Sequence, residues 1–129
     1  MTPGPYLLDT NILIEFFSRK QETVEQLVAL KKQANLFTSL LSVAEIRMGW
    51  SDKDAHVYLP LLYDLFALQN LSPTIVEQAG AWRREYRESG ITLSMVDTLI
   101  AATAYCNDLC VVTRNTRHFP MPEVRLFRQ

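Results

Sequence analysis

The feature that most constrains this chain is a series of short apolar runs without two-fold alternation, separated by stretches of helical periodicity. Tyr6-Leu7-Leu8 is the first. It ends in Asp9 and passes through Thr10-Asn11 into Ile12-Leu13-Ile14. A strand that is apolar at every position must be covered on both faces, which is the signature of a parallel sheet packed between helices. The run Tyr6 to Asp9 therefore reads as a buried strand handing over to a helix. Asp9 then sits at the carboxyl end of the strand, where open α/β sheets place their ligands.

The rest of the chain repeats this alternation. Pro3-Gly4-Pro5 ends the N-terminal tail. A short helix is expected over Asn11–Phe17, and a second, capped by Ser18, over Gln21–Ala34, where Val24, Leu27, Val28 and Leu30 recur at helical spacing. Leu36-Phe37-Thr38 reads as a second strand. Ser42 is expected to open a helix that stops near Gly49, and Asp54–Leu68 forms another. Leu71 is assigned to a short third strand. Ser72-Pro73 is a helix start, with serine as N-cap and proline in the first turn, and Gly90 ends that helix after Ser89. Ser94 starts a helix running to about Asn107. Leu109–Thr113 is the most strand-like segment, and Val124–Phe127 reads as a last strand. The expectation is one domain over residues 1–129, a three-layer α/β/α sandwich around a mostly parallel sheet.

Composition narrows the function classes. A chain of 129 residues with 48% hydrophobic and 21% charged residues is ordinary for one globular domain. The net charge of −1 gives no global basic field, although Arg114, Arg117, Arg125 and Arg128 gather near the C-terminus against Glu123 alone. Cys106 and Cys110 are too few for a disulfide framework and are expected to be buried free thiols. No signal peptide is recognisable at the start, and no apolar run approaches the roughly 20 residues needed to cross a bilayer. A reducing cytoplasm is the expected compartment, with no membrane attachment.

Three carboxylates stand out, Asp9, Glu45 and Asp97, each read as lying at a strand-to-helix junction. Each also has a purely structural reading. Ser42-Val43-Ala44-Glu45 and Ser94-Met95-Val96-Asp97 both fit the serine-x-x-acid pattern of a helix N-terminus, and Asp9 can cap the first helix. As a set they carry more. Acids at strand ends and helix starts of a parallel sheet share one edge, and clustered carboxylates repel unless a cation compensates them. Oxygen-only ligands favour Mg²⁺ or Mn²⁺ over zinc, and such an ion suits phosphodiester hydrolysis.

The segments Leu7-Leu8-Asp9-Thr10-Asn11, Ser42-Val43-Ala44-Glu45-Ile46-Arg47-Met48-Gly49, Asp97-Thr98-Leu99-Ile100-Ala101-Ala102 and Val112-Thr113-Arg114-Asn115-Thr116-Arg117-His118-Phe119 resemble, in order, the successive motifs of the PIN-domain ribonucleases. They are most similar to the VapC toxins of toxin–antitoxin pairs. The resemblance implies Mg²⁺- or Mn²⁺-dependent RNA cleavage, with Asp9, Glu45 and Asp97 as catalytic and metal-binding residues. It also implies a homodimer and a VapB-type antitoxin. tRNA or rRNA is the expected target, with translation inhibited as a result.

The chain departs from the family at one place. Many members carry a fourth acid where this sequence offers Asn115 and His118. That departure supports an alternative, a weak or non-catalytic PIN-like module that binds RNA or protein. A more distant alternative is a phosphatase with Asp9 as nucleophile, for which the second aspartate of the Asp-x-Asp pattern is missing. Thr10, Asn11 and Thr113 are candidate supporting residues. Arg114, Arg117 and Arg47 are candidate RNA contacts. Arg83, Arg84 and Arg87, among Glu85 and Glu88, read as a salt-bridged helix face. Trp50 and Trp82 read as packing residues.

Overall fold

The computed structural model describes residues 4–128. Met1–Pro3, the start of the N-terminal breaker, and Gln129 lie outside them. Four strands form one sheet: β1 (Tyr6–Leu8), β2 (Leu36–Ser39), β3 (Ala67–Gln69) and β4 (Cys110–Val112). The order is β3-β2-β1-β4 and every pairing is parallel. Tyr6 pairs with both Leu36 and Cys110, and Leu8 with both Thr38 and Val112. The first strand is thus central, which is why it tolerates no polar residue before Asp9.

Alternate side chains of β1 and β4 enter two cores. Leu7 and Val111 pack against Ile75, Ala79 and Trp82 of α5 (Pro73–Glu88) and Ile100, Ala101 and Ala104 of α6 (Met95–Cys106). Tyr6, Leu8, Cys110 and Val112 pack against the other helical layer. That layer comprises α1 (Thr10–Phe17), α2 (Gln21–Gln33), α3 (Leu40–Met48) and α4 (Asp52–Leu65). This is the expected three-layer sandwich. Among the described residues no helix is long and apolar enough to cross a membrane.

Local chemistry sets the boundaries, and several differ from expectation. Ser39, not Ser42, caps α3, its hydroxyl accepting from the Leu41 amide at 3.1 Å, so the helix starts three residues earlier. Ser18 ends α1 instead of capping α2, which begins after Lys20 with no side-chain cap. α4 stops at Leu65, and the third strand is Ala67–Gln69, before Leu71. The segment Val124–Phe127 forms no strand. It makes one isolated bridge, Val111 to Leu126, at the edge strand β4. Cys110 is buried, but Cys106 is exposed, near the end of α6. Trp82 is buried and Trp50 packs edge-on against Phe17, so both are packing residues.

Candidate active site

Asp9 follows β1 and is the N-cap of α1. It is 5% exposed. The parallel register that pairs Leu8 with Val112 puts the residue after each strand side by side. Thr113 accordingly donates its hydroxyl to Asp9 Oδ2 at 2.7 Å, while the Thr10 amide donates to Oδ1 at 2.8 Å. Among the described residues no lysine or arginine pairs with this carboxylate. Burial raises its pKa above the ordinary value, the Thr113 and Thr10 hydrogen bonds oppose the rise, and the charge of Asp97 adds to it while His118 offsets it.

Glu45 reaches the same edge by a different route from the one its sequence suggested. With Ser39 as the cap, Ser42 and Glu45 both lie inside α3, one turn apart on one face. Thr10 Oγ1 sits 2.5 Å from Glu45 Oε1 and 3.0 Å from Ser42 Oγ. A hydroxyl has one proton to give, and the carboxylate can only accept, so that proton goes to Glu45. Glu45 is exposed, whereas Ser42 is fully buried.

Asp97 is the third residue of α6, and its amide donates to the Ser94 cap at 3.2 Å. The sequence reading placed it at a strand-to-helix junction. In the fold no strand precedes it, because the chain arrives from α5 through residues 89–94. Asp97 Oδ2 lies 3.3 Å from His118 Nδ1. Both line a cleft of about 370 Å³ together with Leu93, Ser94 and Arg117. The three acids therefore share one edge without forming a closed cage. Thr10 lies between Asp9 and Glu45, charge couples Asp9 to Asp97, and no three acid, histidine or cysteine side chains among the described residues are grouped so as to hold an ion.

The remaining candidates divide. Asn11 bridges, its Nδ2 lying 3.5 Å from Asp9 Oδ2 and 3.4 Å from Thr113 Oγ1, while its Oδ1 accepts from the Arg114 amide. The Asn115 amide donates to Thr113 Oγ1 at 3.0 Å, which holds the strand end in place. Arg117 lines the Asp97 cleft. Arg114 turns away, since its guanidinium is bound to Glu15 at 2.9 Å and to Thr23 at 3.2 Å. Arg47 is likewise occupied, by the Trp50 carbonyl at 2.8 Å and Asp52 at 2.6 Å. Nor do the C-terminal arginines form one patch, because Arg125 pairs with Asp108. Sequence reasoning missed three residues: Ser42 as a polar contact, Glu15 as the anchor of Arg114, and His118 as the partner of Asp97. The i,i+3 spacing of Ser42 and Glu45 was the available signal. Nothing local marked the other two.

A three-layer sandwich with acids gathered at the carboxyl edge of a parallel sheet is the class that fold and site define. Comparison with known proteins agrees. Residues 6–123 match the PIN domain family. A curated relative, ribonuclease VapC10 of Mycobacterium tuberculosis, is 34% identical over 117 residues, covering 91% of this chain and 87% of the relative. A toxin–antitoxin complex from Klebsiella pneumoniae contains a chain with a TM-score of 0.75 and 32% identity, covering 93% of this chain and 95% of that one. VapBC2 of Rickettsia felis, solved with a promoter DNA fragment, shares the fold with a TM-score of 0.85 at 23% identity, covering 95% and 96% of the two chains. The chain belongs to the PIN domain family, within its VapC group.

Proposed function

We propose that this protein is a divalent-metal-dependent endoribonuclease, the toxin of a type II toxin–antitoxin pair. The observation that carries the reading is Asp9, a buried carboxylate with which no lysine or arginine among the described residues pairs, at the carboxyl end of a central strand and electrostatically coupled to Asp97. A buried charge of this kind is costly unless something positive compensates it. The donor set fits a hard cation, since Asp9, Glu45 and Asp97 offer only oxygens. These residues would hold Mg²⁺ or Mn²⁺. When bound, the ion supplies a water of lowered pKa and neutralises charge on the phosphodiester.

The chain's own residues do the rest. Thr113, the Thr10 amide and Asn11 fix the orientation of Asp9. The Thr10 hydroxyl fixes Glu45. An ionised carboxylate at this edge takes up the proton released when water adds to phosphorus. Arg117, which lines the Asp97 cleft, would contact an RNA phosphate. Arg114 instead steadies the strand end through Glu15, and Asn115, in the fourth-acid position, would offer the ion a neutral oxygen. A nucleophilic role for Asp9 fits poorly, because both its oxygens accept hydrogen bonds in a buried position.

The ribonuclease and toxin–antitoxin relatives support a cognate VapB-type antitoxin; the biological setting proposed with it is a homodimer held inactive by that antitoxin, acting in the cytoplasm on tRNA or rRNA and inhibiting translation. The test is cleavage of total RNA by antitoxin-free protein with Mg²⁺, Mn²⁺ or EDTA, beside Asp97→Asn. Metal-dependent cleavage that disappears in the variant is expected. RNA binding without cleavage under any cation would replace the proposal with a non-catalytic binding module.

A further inference from the structure

Resting on the ribonuclease reading, we infer that the arginine face of α5 is a phosphate track that receives the single-stranded RNA beyond the scissile bond. Gly80, Arg83, Arg84 and Arg87 follow an i, i+3, i+4, i+7 pattern and share one helix face. Together with Thr92 and Leu93 they line a cleft of about 260 Å³. Thr92 and Leu93 also wall the cleft that holds Asp97, Arg117 and His118. The two clefts are therefore neighbours along one path, acidic at one end and basic at the other.

Three details separate this face from an ordinary solvated one. The guanidinium of Arg83 is held in place, its Nε donating to the Leu93 carbonyl at 3.0 Å, which ties α5 to the shared wall. Arg84 pairs with Glu88 at 3.4 Å, but both side chains are largely exposed, so the pair is worth little and yields readily to a phosphate. The Arg87 guanidinium has no hydrogen-bond or ion-pair partner among the described residues.

Gly80 adds a fourth. A glycine inside a helix costs about 1 kcal/mol relative to alanine. Here neither a positive φ nor a close neighbour requires it, since an added Cβ would meet nothing within 4 Å. What its missing side chain provides is depth in the arginine cleft. A space of this size admits the phosphate and sugar of a single strand but not a duplex. Arg83 and Arg87 are about one helical turn, roughly 5–6 Å, apart along the axis, a scale comparable to the step between successive phosphates of an extended strand. The polarity of the path also sets its use: phosphates are drawn to the arginine end, and only the cation-compensated acid end holds the bond that is cut.

The test uses full-length, antitoxin-free protein, wild type and an Arg84→Gln/Arg87→Gln double variant, with Arg83 left intact to preserve the Leu93 contact. A labelled single-stranded RNA is titrated in EDTA across a salt series, and steady-state cleavage is measured with Mn²⁺. Loss of two single-strand phosphate contacts should reduce the steepness of log K against log salt by about 1.4, and the cleavage loss should fall on KM more than on kcat. A Gly80→Glu variant, which puts a carboxylate into the cleft without touching an arginine, should weaken binding in the same direction. Unchanged salt slope, affinity and KM in both variants, with an active wild type, would overturn the track while leaving the ribonuclease reading in place. A wild type that binds RNA without cutting it, with the slope reduced in the double variant, would keep the track and overturn the ribonuclease. Unchanged RNA binding with lost affinity for a poly-glutamate peptide would assign the face to an acidic protein segment and overturn the track.

Discussion

At the residue scale, Asp9 and Glu15 are two carboxylates with opposite electrostatic positions. Burial lifts the pKa of Asp9 in the folded state above its unfolded value. The folded protein then binds that proton more tightly than the unfolded chain does, so between the two values cation-free stability falls as pH rises. At neutral pH the ionised Asp9 is a cost. Asp9→Asn, which keeps the shape and an acceptor for the Thr10 amide, should therefore be more stable than wild type in EDTA at pH 7 and converge with it in acid, as read by urea denaturation at each pH. Glu15 runs the other way. The hydrogen bond from Arg114 holds its pKa below the usual range, with help from Thr23 and Lys20 against a desolvation cost. Its contribution is present above the unfolded value and is lost as pH falls through the folded one. Arg114→Ala should cost about 1–2 kcal/mol at pH 7, and less in acid.

At the element scale, serine caps and one glycine position the site. Ser94 holds the first turn of α6 and with it Asp97. Ser94→Ala should cost about 1 kcal/mol and lower activity beyond what the stability loss explains, measured by thermal melts beside cleavage rates. Gly90 terminates α5 at φ +82, where its amide bonds to the Arg87 carbonyl at 2.9 Å. Gly90→Ala should cost about 1–2 kcal/mol. Much of this scale was legible in the sequence. Tyr6-Leu7-Leu8 announced a strand buried on both faces, and Ser72-Pro73 and Ser94 marked helix starts that the fold uses. The failures have physical causes. Ser39 and Ser42 are both plausible caps, and choosing between them requires knowing where β2 ends against β1. Val124–Phe127 is apolar enough for a strand, but it meets the edge of β4 at a single bridge, Val111 to Leu126, a tertiary outcome that no local pattern marks. The long-range pairs Arg114–Glu15 and Asp97–His118 leave no local pattern, because topology alone brings them together.

At the scale of the whole molecule, the parallel sheet gathers at one edge side chains far apart in sequence. Asp9 and Thr113 meet because β1 and β4 are neighbours in register, and Asp97 enters from a helix on the opposite layer from the one that carries Glu45. The fold therefore accounts for the shared edge, while the approach of all three acids to one point is what the proposed cation would supply. Binding of that cation to the folded state alone adds about 2.7 kcal/mol at a hundredfold excess over Kd, which for a chain of this size raises Tm on the order of 10 °C.

The most direct measurement is calorimetric titration of Mn²⁺ into antitoxin-free protein, for the wild type and Asp9→Asn under identical conditions. Specific, saturable binding to the wild type and its loss in the variant is the predicted result. Equal binding to both proteins, or none to either while the wild type still cleaves RNA, would contradict the assignment of this edge as the metal-dependent catalytic centre.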